Sequence, residues 1–375
     1  MPPTPATYRC HCRPPPLVLA TAVKRVSWQR RRHFSLFVDA ARSNTILLCF
    51  TPRDNTPTVW FTDNGERAGT FDGHNGTIWM LDVTRDSKKL VTASADMSCA
   101  VWDVESGKRF FEIVLAGPGR YCSWAEGSEQ FCVVVDPFRK KPSCIQIFDF
   151  ASLTEENKEP LRRFDLSASG LPTQKKITIC KWTALNKKLL VADELGMIRL
   201  LDPVSGEVEK AIQGHTGRVN ELRFNHEKTL FITGASDNLA KLWDAQTLEC
   251  LCTYETEVPV NGVDISPIKE HVVLGGGQDA MEVTTTSTKS GKFEARFFHM
   301  VFAEEFGRVK GHFGPINTLA FHPNGTGFAS GSEDGYIRLH KFDADYFKYH
   351  NDLDNIDELL KEARLADEED KKTTA

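Results

Sequence analysis

Three histidines of the 375-residue chain are each followed, at fixed intervals, by a hydroxyl, a carboxylate and an indole or its replacement. The sets are His74, Thr92, Asp96 and Trp102; His215, Thr233, Asp237 and Trp243; and His312, Ser330, Asp334 and His340. The step from His to Asp is 22 residues in every set, and the next step, to the indole position, is 6. A histidine, a hydroxyl and a carboxylate are the parts of a nucleophilic hydrolase, in which the imidazole takes the proton of the attacking oxygen. Three copies at one spacing, with no Gly-x-Ser-x-Gly elbow in the chain, argue instead for a repeated structural brace.

Other chemistry is weaker. Gly275-Gly276-Gly277-Gln278-Asp279-Ala280 follows the strand-like Val272-Val273-Leu274 and fits a loose dinucleotide pattern, but the β-prone Met281, Glu282, Val283 and threonine run come next. Without a helix there is no N-terminus to receive a pyrophosphate, so a glycine turn is the better reading. No P-loop or His-Glu-x-x-His pair occurs. Cys10-His11-Cys12 and Cys250-Leu251-Cys252 lack the paired spacing of a zinc site. No cofactor, metal or small-molecule substrate is expected. The run from Thr284 to Thr288 reads as a solvated segment, with phosphorylation as the minor alternative.

The elements that must hold these residues are short strands. Between His74 and Asp96 lie two short alternating strands, Ile78 to Val83 and Leu90 to Ser94, joined by a polar turn at Arg85 to Lys88, and a third strand, Ser98 to Trp102, follows. Composition agrees: 7 Trp, 24 Phe and 26 Gly suit a β fold with tight turns. A formal charge of -5 argues against a protein whose main task is neutralising phosphates, and no direct sequence-specific nucleic-acid binding is expected. Ten scattered cysteines point to a reduced, intracellular setting, and no apolar stretch is long enough to span a membrane.

These sets resemble the WD-repeat family, in which indole N–H, hydroxyl, imidazole and carboxylate form a buried chain of hydrogen bonds within one blade of a β-propeller. His74 to His215 is 141 residues, three steps of 47, and His215 to His312 is 97, two steps of about 48, near the WD period of roughly 40–45. With one blade after His312 and one before His74, where Asp54 stands 6 residues ahead of Trp60, the count is seven. The expectation is an all-β, seven-bladed propeller over 34–343, with an acidic C-terminal helix and tail over 344–375. The third and fourth blades carry Phe148-Asp149 and Leu201-Asp202 but no Gly-His, so apolar packing is expected to hold them.

Residues 272–317 resemble one family within this class. Gly275 to Ala280, Val283 to Thr288, Gly291 to His299 and Glu304 to Asn317 are similar to the i subunit of eukaryotic translation initiation factor 3. Asn64 to Arg67 and Ser94 to Asp96 also fit, and the likeness runs from about 46 to 347. It implies a cytoplasmic, non-enzymatic scaffold subunit that binds the b and g subunits and acts on the small ribosomal subunit during recruitment and scanning. Partner contacts are expected near Lys289, Lys292, Phe293, Arg296 and Arg308, where cations alternate with aromatics, although Phe297 and Phe298 can equally fill the core. The alternatives are a signalling scaffold of the receptor-kinase-associated WD-repeat type and, as an enzyme, a propeller hydrolase with unpaired acids or imidazoles in its channel.

Both ends depart from the pattern. Leu353, Ile356, Leu359, Leu360 and Ala363 fall on one helical face, suited to the propeller's rim or to a partner, and the charged run from Asp367 to Lys372 is expected to be disordered. Residues 1–33, rich in Pro and Arg and free of acids, are expected to lie outside the ring as an irregular, disordered segment. They resemble an organelle transit peptide; an unusual start exon gives the same composition and is the preferred reading. His33 follows Arg32 instead of Gly, and Trp28 to Arg31 do not read as the strand that closes such rings, so closure is left unassigned.

Overall fold

The computed structural model describes residues 55–62, 65–169, 172, 174–277 and 293–348, together with the backbone of three strands, Ala22–Ser27, Ser35–Ala40 and Ile46–Thr51. Within them lie seven antiparallel sheets of four strands each. Blade 1 spans 35–70, blade 2 78–114, blade 3 119–165, blade 4 177–213, blade 5 219–255 and blade 6 260–310. Blade 7 combines 316–341 with the strand Ala22–Ser27. The first strands neighbour one another in order around a ring, blade 7 meeting blade 1.

Sequence pattern sets each strand's depth. Lys89–Ser94 and Gln130–Val135, second strands, are buried from their second residue onward on both faces, as expected of near-continuous apolar runs covered by a sheet on each side. The fourth strands Arg109–Val114 and Val208–Gln213 are largely exposed and carry charges, which suits a solvent edge. Between second and third strands the turn needs one residue at positive φ: Met97 (65°), Gly196 (83°), Asn238 (66°) and Gly335 (82°) take that place.

Ring closure comes from a segment expected to lie outside the propeller. Ala22–Ser27 runs antiparallel to Tyr336–Lys341, Ala22 opposite Lys341 and Ser27 opposite Tyr336, and supplies the fourth strand of blade 7. The boundary at residue 34 is therefore corrected for these six residues. The signal was hidden because ladder pairing uses backbone groups, and the open edge of Tyr336–Lys341 accepts a short strand even beside a Pro- and Arg-rich stretch. The expected disorder at the chain start, His33, Asp54, Lys289, Lys292, the run Thr284 to Thr288 and the helix from Asn351 lie outside the described residues.

Because the closing strand arrives from the other end, the chain leaves blade 7 at Phe342 and turns into the helix Ala344–Lys348. Tyr346 is its anchor. Fully buried, it stacks on Phe342 at 3.9 Å between ring centroids, and its hydroxyl lies 3.1 Å from His271 Nδ1 in blade 6. Lys269 Nζ donates to the carbonyls of Tyr346 and Phe347, both at 3.1 Å, closing the helix's C-terminal end. No helix among the described residues is long and apolar enough to cross a membrane.

Candidate functional site

His74 sits in the link between blades 1 and 2, and its brace draws on the second strand of blade 2 (Thr92), the turn after it (Asp96) and the third strand (Trp102). Its Nδ1 lies 2.9 Å from Asp96 Oδ2, its Nε2 lies 2.7 Å from Thr92 Oγ1, and Trp102 Nε1 donates to that same hydroxyl at 2.9 Å. A carboxylate only accepts, so Nδ1 carries the proton toward Asp96 and the Thr92 hydroxyl donates to Nε2 while accepting from the indole. Asp96 also accepts from the backbone N–H groups of Asn75 and Ser98, both at 2.9 Å, which fastens the link to the turn. Blade 5 repeats the arrangement: His215 lies 3.0 Å from Asp237 and 2.7 Å from Thr233, and Trp243 Nε1 donates to Thr233 at 2.8 Å.

Blade 7 keeps three members and changes the fourth. His312 lies 3.0 Å from Asp334 and 2.8 Å from Ser330, and His340 Nε2 stands 3.1 Å from the Ser330 hydroxyl, where the indole N–H would be. His340 stacks on Phe328 at 4.4 Å and 10°, as Trp243 stacks on Phe231 at 12°. Its Nδ1 is buried and has no hydrogen-bond partner among the described residues. Burial, and then the nearby His312 and Arg338, pull its pKa down to about 3, so it is neutral in the fold. Burial also lowers His215 and His312, outweighing the pull of their carboxylates. At Asp334 burial opposes ionisation, but His312 and the N–H groups of Phe313 and Tyr336 prevail and hold the carboxyl at about 2.

Blade 4 does not rest on apolar packing alone, contrary to expectation. Asp193 and Arg199, 0% and 2% exposed, form an ion pair at 2.5 Å, and Asp193 Oδ1 accepts from the N–H groups of Leu195 and Met197 at 2.8 and 3.1 Å. The carboxylate thus organises the same turn that Asp96 organises in blade 2, from a different position in the strand. A search keyed to Gly-His misses it because the cation comes from the third strand, two residues before Leu201.

Sequence reasoning also missed side chains that join the starts of the first strands of neighbouring blades. The first strands of blades 2 to 7 each slip register after their first residue, which frees the second from the ladder. Those residues reach sideways. Asn220 Nδ2 lies 3.3 Å from Asn261 Oδ1, Asn261 Nδ2 lies 3.3 Å from Asn317 Oδ1, and the Arg120 guanidinium sits 4.2 Å from the Trp79 ring. A signal existed: Trp79, Asn220 and Asn317 each stand five residues after a blade histidine.

Deeper in the channel the acids are engaged. Asp82 accepts from Trp124 N at 2.7 Å, and Asp264, at the equivalent place in blade 6, accepts from Phe321 N at 2.6 Å, each tying its blade to the next. Arg223 Nε lies 3.1 Å from Glu221. Burial lowers the Lys181 pKa to about 8, Arg223 adding to the effect against the pull of Glu221, Asp82 and Asp264. Among the described residues no group of three or more His, Cys, Asp or Glu is placed to hold a metal ion.

The blade 6 residues separate. Phe297 and Phe298 are core, at 0% and 4% exposure. Arg296 is buried as well, 3.7 Å from Glu257, so it props the strand instead of facing a partner. Arg308 is exposed and paired with Glu305 and, at 3.4 Å, with Glu294. Phe293 is half-buried against Gly277 and Pro315, whose packing leaves no room for a side chain at Gly277.

A model of the EIF3I family matches residues 41–352. Eukaryotic translation initiation factor 3 subunit I of Bombyx mori is 44% identical over 305 residues, covering 81% of this chain and 91% of that protein. The Homo sapiens protein of the same name is 42% identical over 304 residues, covering 81% and 92%. Among solved structures, the β-propeller domain of Myceliophteria thermophila Cps50 (Swd1) superposes with a TM-score of 0.68 at 17% identity, over 86% of this chain and 100% of that one. At that identity the likeness establishes the fold alone.

Proposed function

Because the chain belongs to the eukaryotic translation initiation factor 3 subunit I family, we propose that it is a non-catalytic, cytoplasmic scaffold subunit that binds the b and g subunits of that factor. It is a translation initiation factor built as a seven-bladed propeller. Through the complex it supports recruitment and scanning of mRNA on the small ribosomal subunit. One observation carries the scaffold reading: the His, Thr or Ser, and Asp that could do chemistry are consumed in buried chains of hydrogen bonds inside the blades. An imidazole bonded on both nitrogens to a hydroxyl and a carboxylate of its own blade holds a turn in place. We assign that bracing role to His74, Thr92, Asp96 and Trp102 and to their counterparts in blades 5 and 7.

We assign the b and g subunits to blade 6, at the surface around Arg308 and Phe293, with Lys289 and Lys292 just before Phe293 in the sequence as further contacts. The family match removes the support for a signalling scaffold. Affinity purification of the tagged chain from cell extract tests the assignment. Co-recovery of the b and g subunits, weakened at least tenfold by Arg308→Glu, is the expected result; recovery without either subunit refutes it.

A further inference from the structure

The loop between the second and third strands of blade 3 breaks a rule of turn chemistry. Phe138 N donates to Lys141 O at 3.1 Å and Lys141 N to Phe138 O at 2.9 Å, so the chain reverses over two residues, Arg139 and Lys140. Both have positive φ, 45° and 68°. A two-residue reversal of this hand is normally occupied by Asn-Gly or Asp-Gly, because a side chain there crowds its own backbone at a cost of roughly 1–2 kcal/mol per residue. Here two adjacent cations occupy it, and a third, Lys141, follows; all three are exposed. Such a turn opposes folding twice, by backbone strain and by repulsion between like charges.

The surface behind the turn is cationic too. Asp136 is shared by Arg120, at 3.0 Å, and Lys176, at 3.6 Å, while Lys175 pairs with Glu194 at 3.2 Å. Arg218, exposed, stands in the field of Arg120 and of the same two carboxylates. Cations outnumber acids in this corner of a chain whose net charge is -5. Two of the guanidinium groups lie against aromatic rings, Arg120 at Trp79 (4.2 Å) and Arg139 at Phe138 (5.1 Å).

We propose that the Phe138–Lys141 turn and the adjoining mouth of blades 3 and 4 form a docking surface for RNA, read through its phosphodiester backbone without regard to sequence. A protein partner would call for an apolar anchor; Arg139, Lys140 and Lys141 carry none between them, and the exposed Val114 and Met97 border this surface from blade 2. A phosphate backbone needs only charge and donors, with rings on which bases can stack. The choice of RNA over other polyanions rests on the initiation-factor reading; the cationic turn does not.

The test is fluorescence anisotropy of the purified full chain with labelled oligouridine across a salt series, beside the variant R139N/K140G. Asn-Gly suits the turn, so the variant's Tm should rise by a few degrees while its RNA affinity falls tenfold or more. Its slope of log affinity against log salt should flatten by about 1.4, at roughly 0.7 for each of the two phosphates that the variant leaves unneutralised on a single strand. Three results overturn the proposal: no binding of oligouridine at low salt, unchanged affinity and slope in the variant, or polyglutamate bound as tightly as RNA, which would indicate an acidic protein partner. Recovery of the b and g subunits is a separate measurement, so either reading can fail without the other.

Discussion

Replacing Thr92 with valine keeps the shape of the side chain and deletes the hydroxyl that joins His74 Nε2 to the Trp102 indole N–H. Both partners are then left in the core, His74 at 3% and Trp102 at 1% exposure, with no solvent to take the vacated bonds. An orphaned buried polar group costs about 1–3 kcal/mol, so two cost about 2–6 kcal/mol, and no cavity is created to add to it. At roughly 2 °C per kcal/mol the Tm should fall by about 4–12 °C. Trp102→Phe removes one of the two orphans, so the double variant T92V/W102F should be less destabilised than the sum of the singles by about 1–2 kcal/mol. Thermal unfolding of the four proteins, followed by far-ultraviolet circular dichroism, measures both quantities. A T92V protein within about 1 °C of the parent, or strictly additive variants, would refute the argument that the hydroxyl bridges imidazole and indole.

Two further outcomes follow from blade 7. His340 has its pKa lowered to about 3 from an ordinary 6.5, so the folded state resists the proton that the unfolded chain binds between those values. Stability is therefore full above pH 6.5 and declines as pH falls toward 3; at pH 4.5 the loss from this group is on the order of 3 kcal/mol. His340→Trp should remove that decline, so the gap in stability between variant and parent should widen by about that amount from pH 7.5 to 4.5; an unchanged gap contradicts the assignment. Deleting residues 1–27 removes the strand opposite Tyr336–Lys341 and exposes its edge. Concentration-dependent association in size-exclusion chromatography with light scattering is expected, and a monomer of unaltered Tm would show that the closing strand is dispensable.

Much of the architecture was legible because a repeated blade writes its spacing into the chain. The 22- and 6-residue steps from His74, His215 and His312 fall on the carboxylates and on the indoles or, at His340, the ring in their place, because each brace is local to one blade and crosses only two turns. Strands such as Leu90 to Ser94 were read as short and alternating; their burial on both faces is a result of the blades packing on either side. The family, too, was legible, in the stretch from Gly275 to Asn317.

What the tertiary structure alone decided depends on how strands and blades pair, mostly between groups far apart in sequence. Ala22–Ser27 meets Tyr336–Lys341 only when the ring closes, and backbone pairing of that kind leaves no side-chain pattern to read. Arg199 serves Asp193 through strand pairing, and Asp82 and Asp264 bind the N–H groups of neighbouring blades, 42 and 57 residues away. The positive φ of Arg139 and Lys140, and the sharing of Asp136 by Arg120 and Lys176, are likewise invisible in a chain whose total charge is negative. Local spacing determined which residues brace each blade; the folding of the chain into a closed circle decided which charges share a face, because only that circle brings blades 2 through 5 around one mouth.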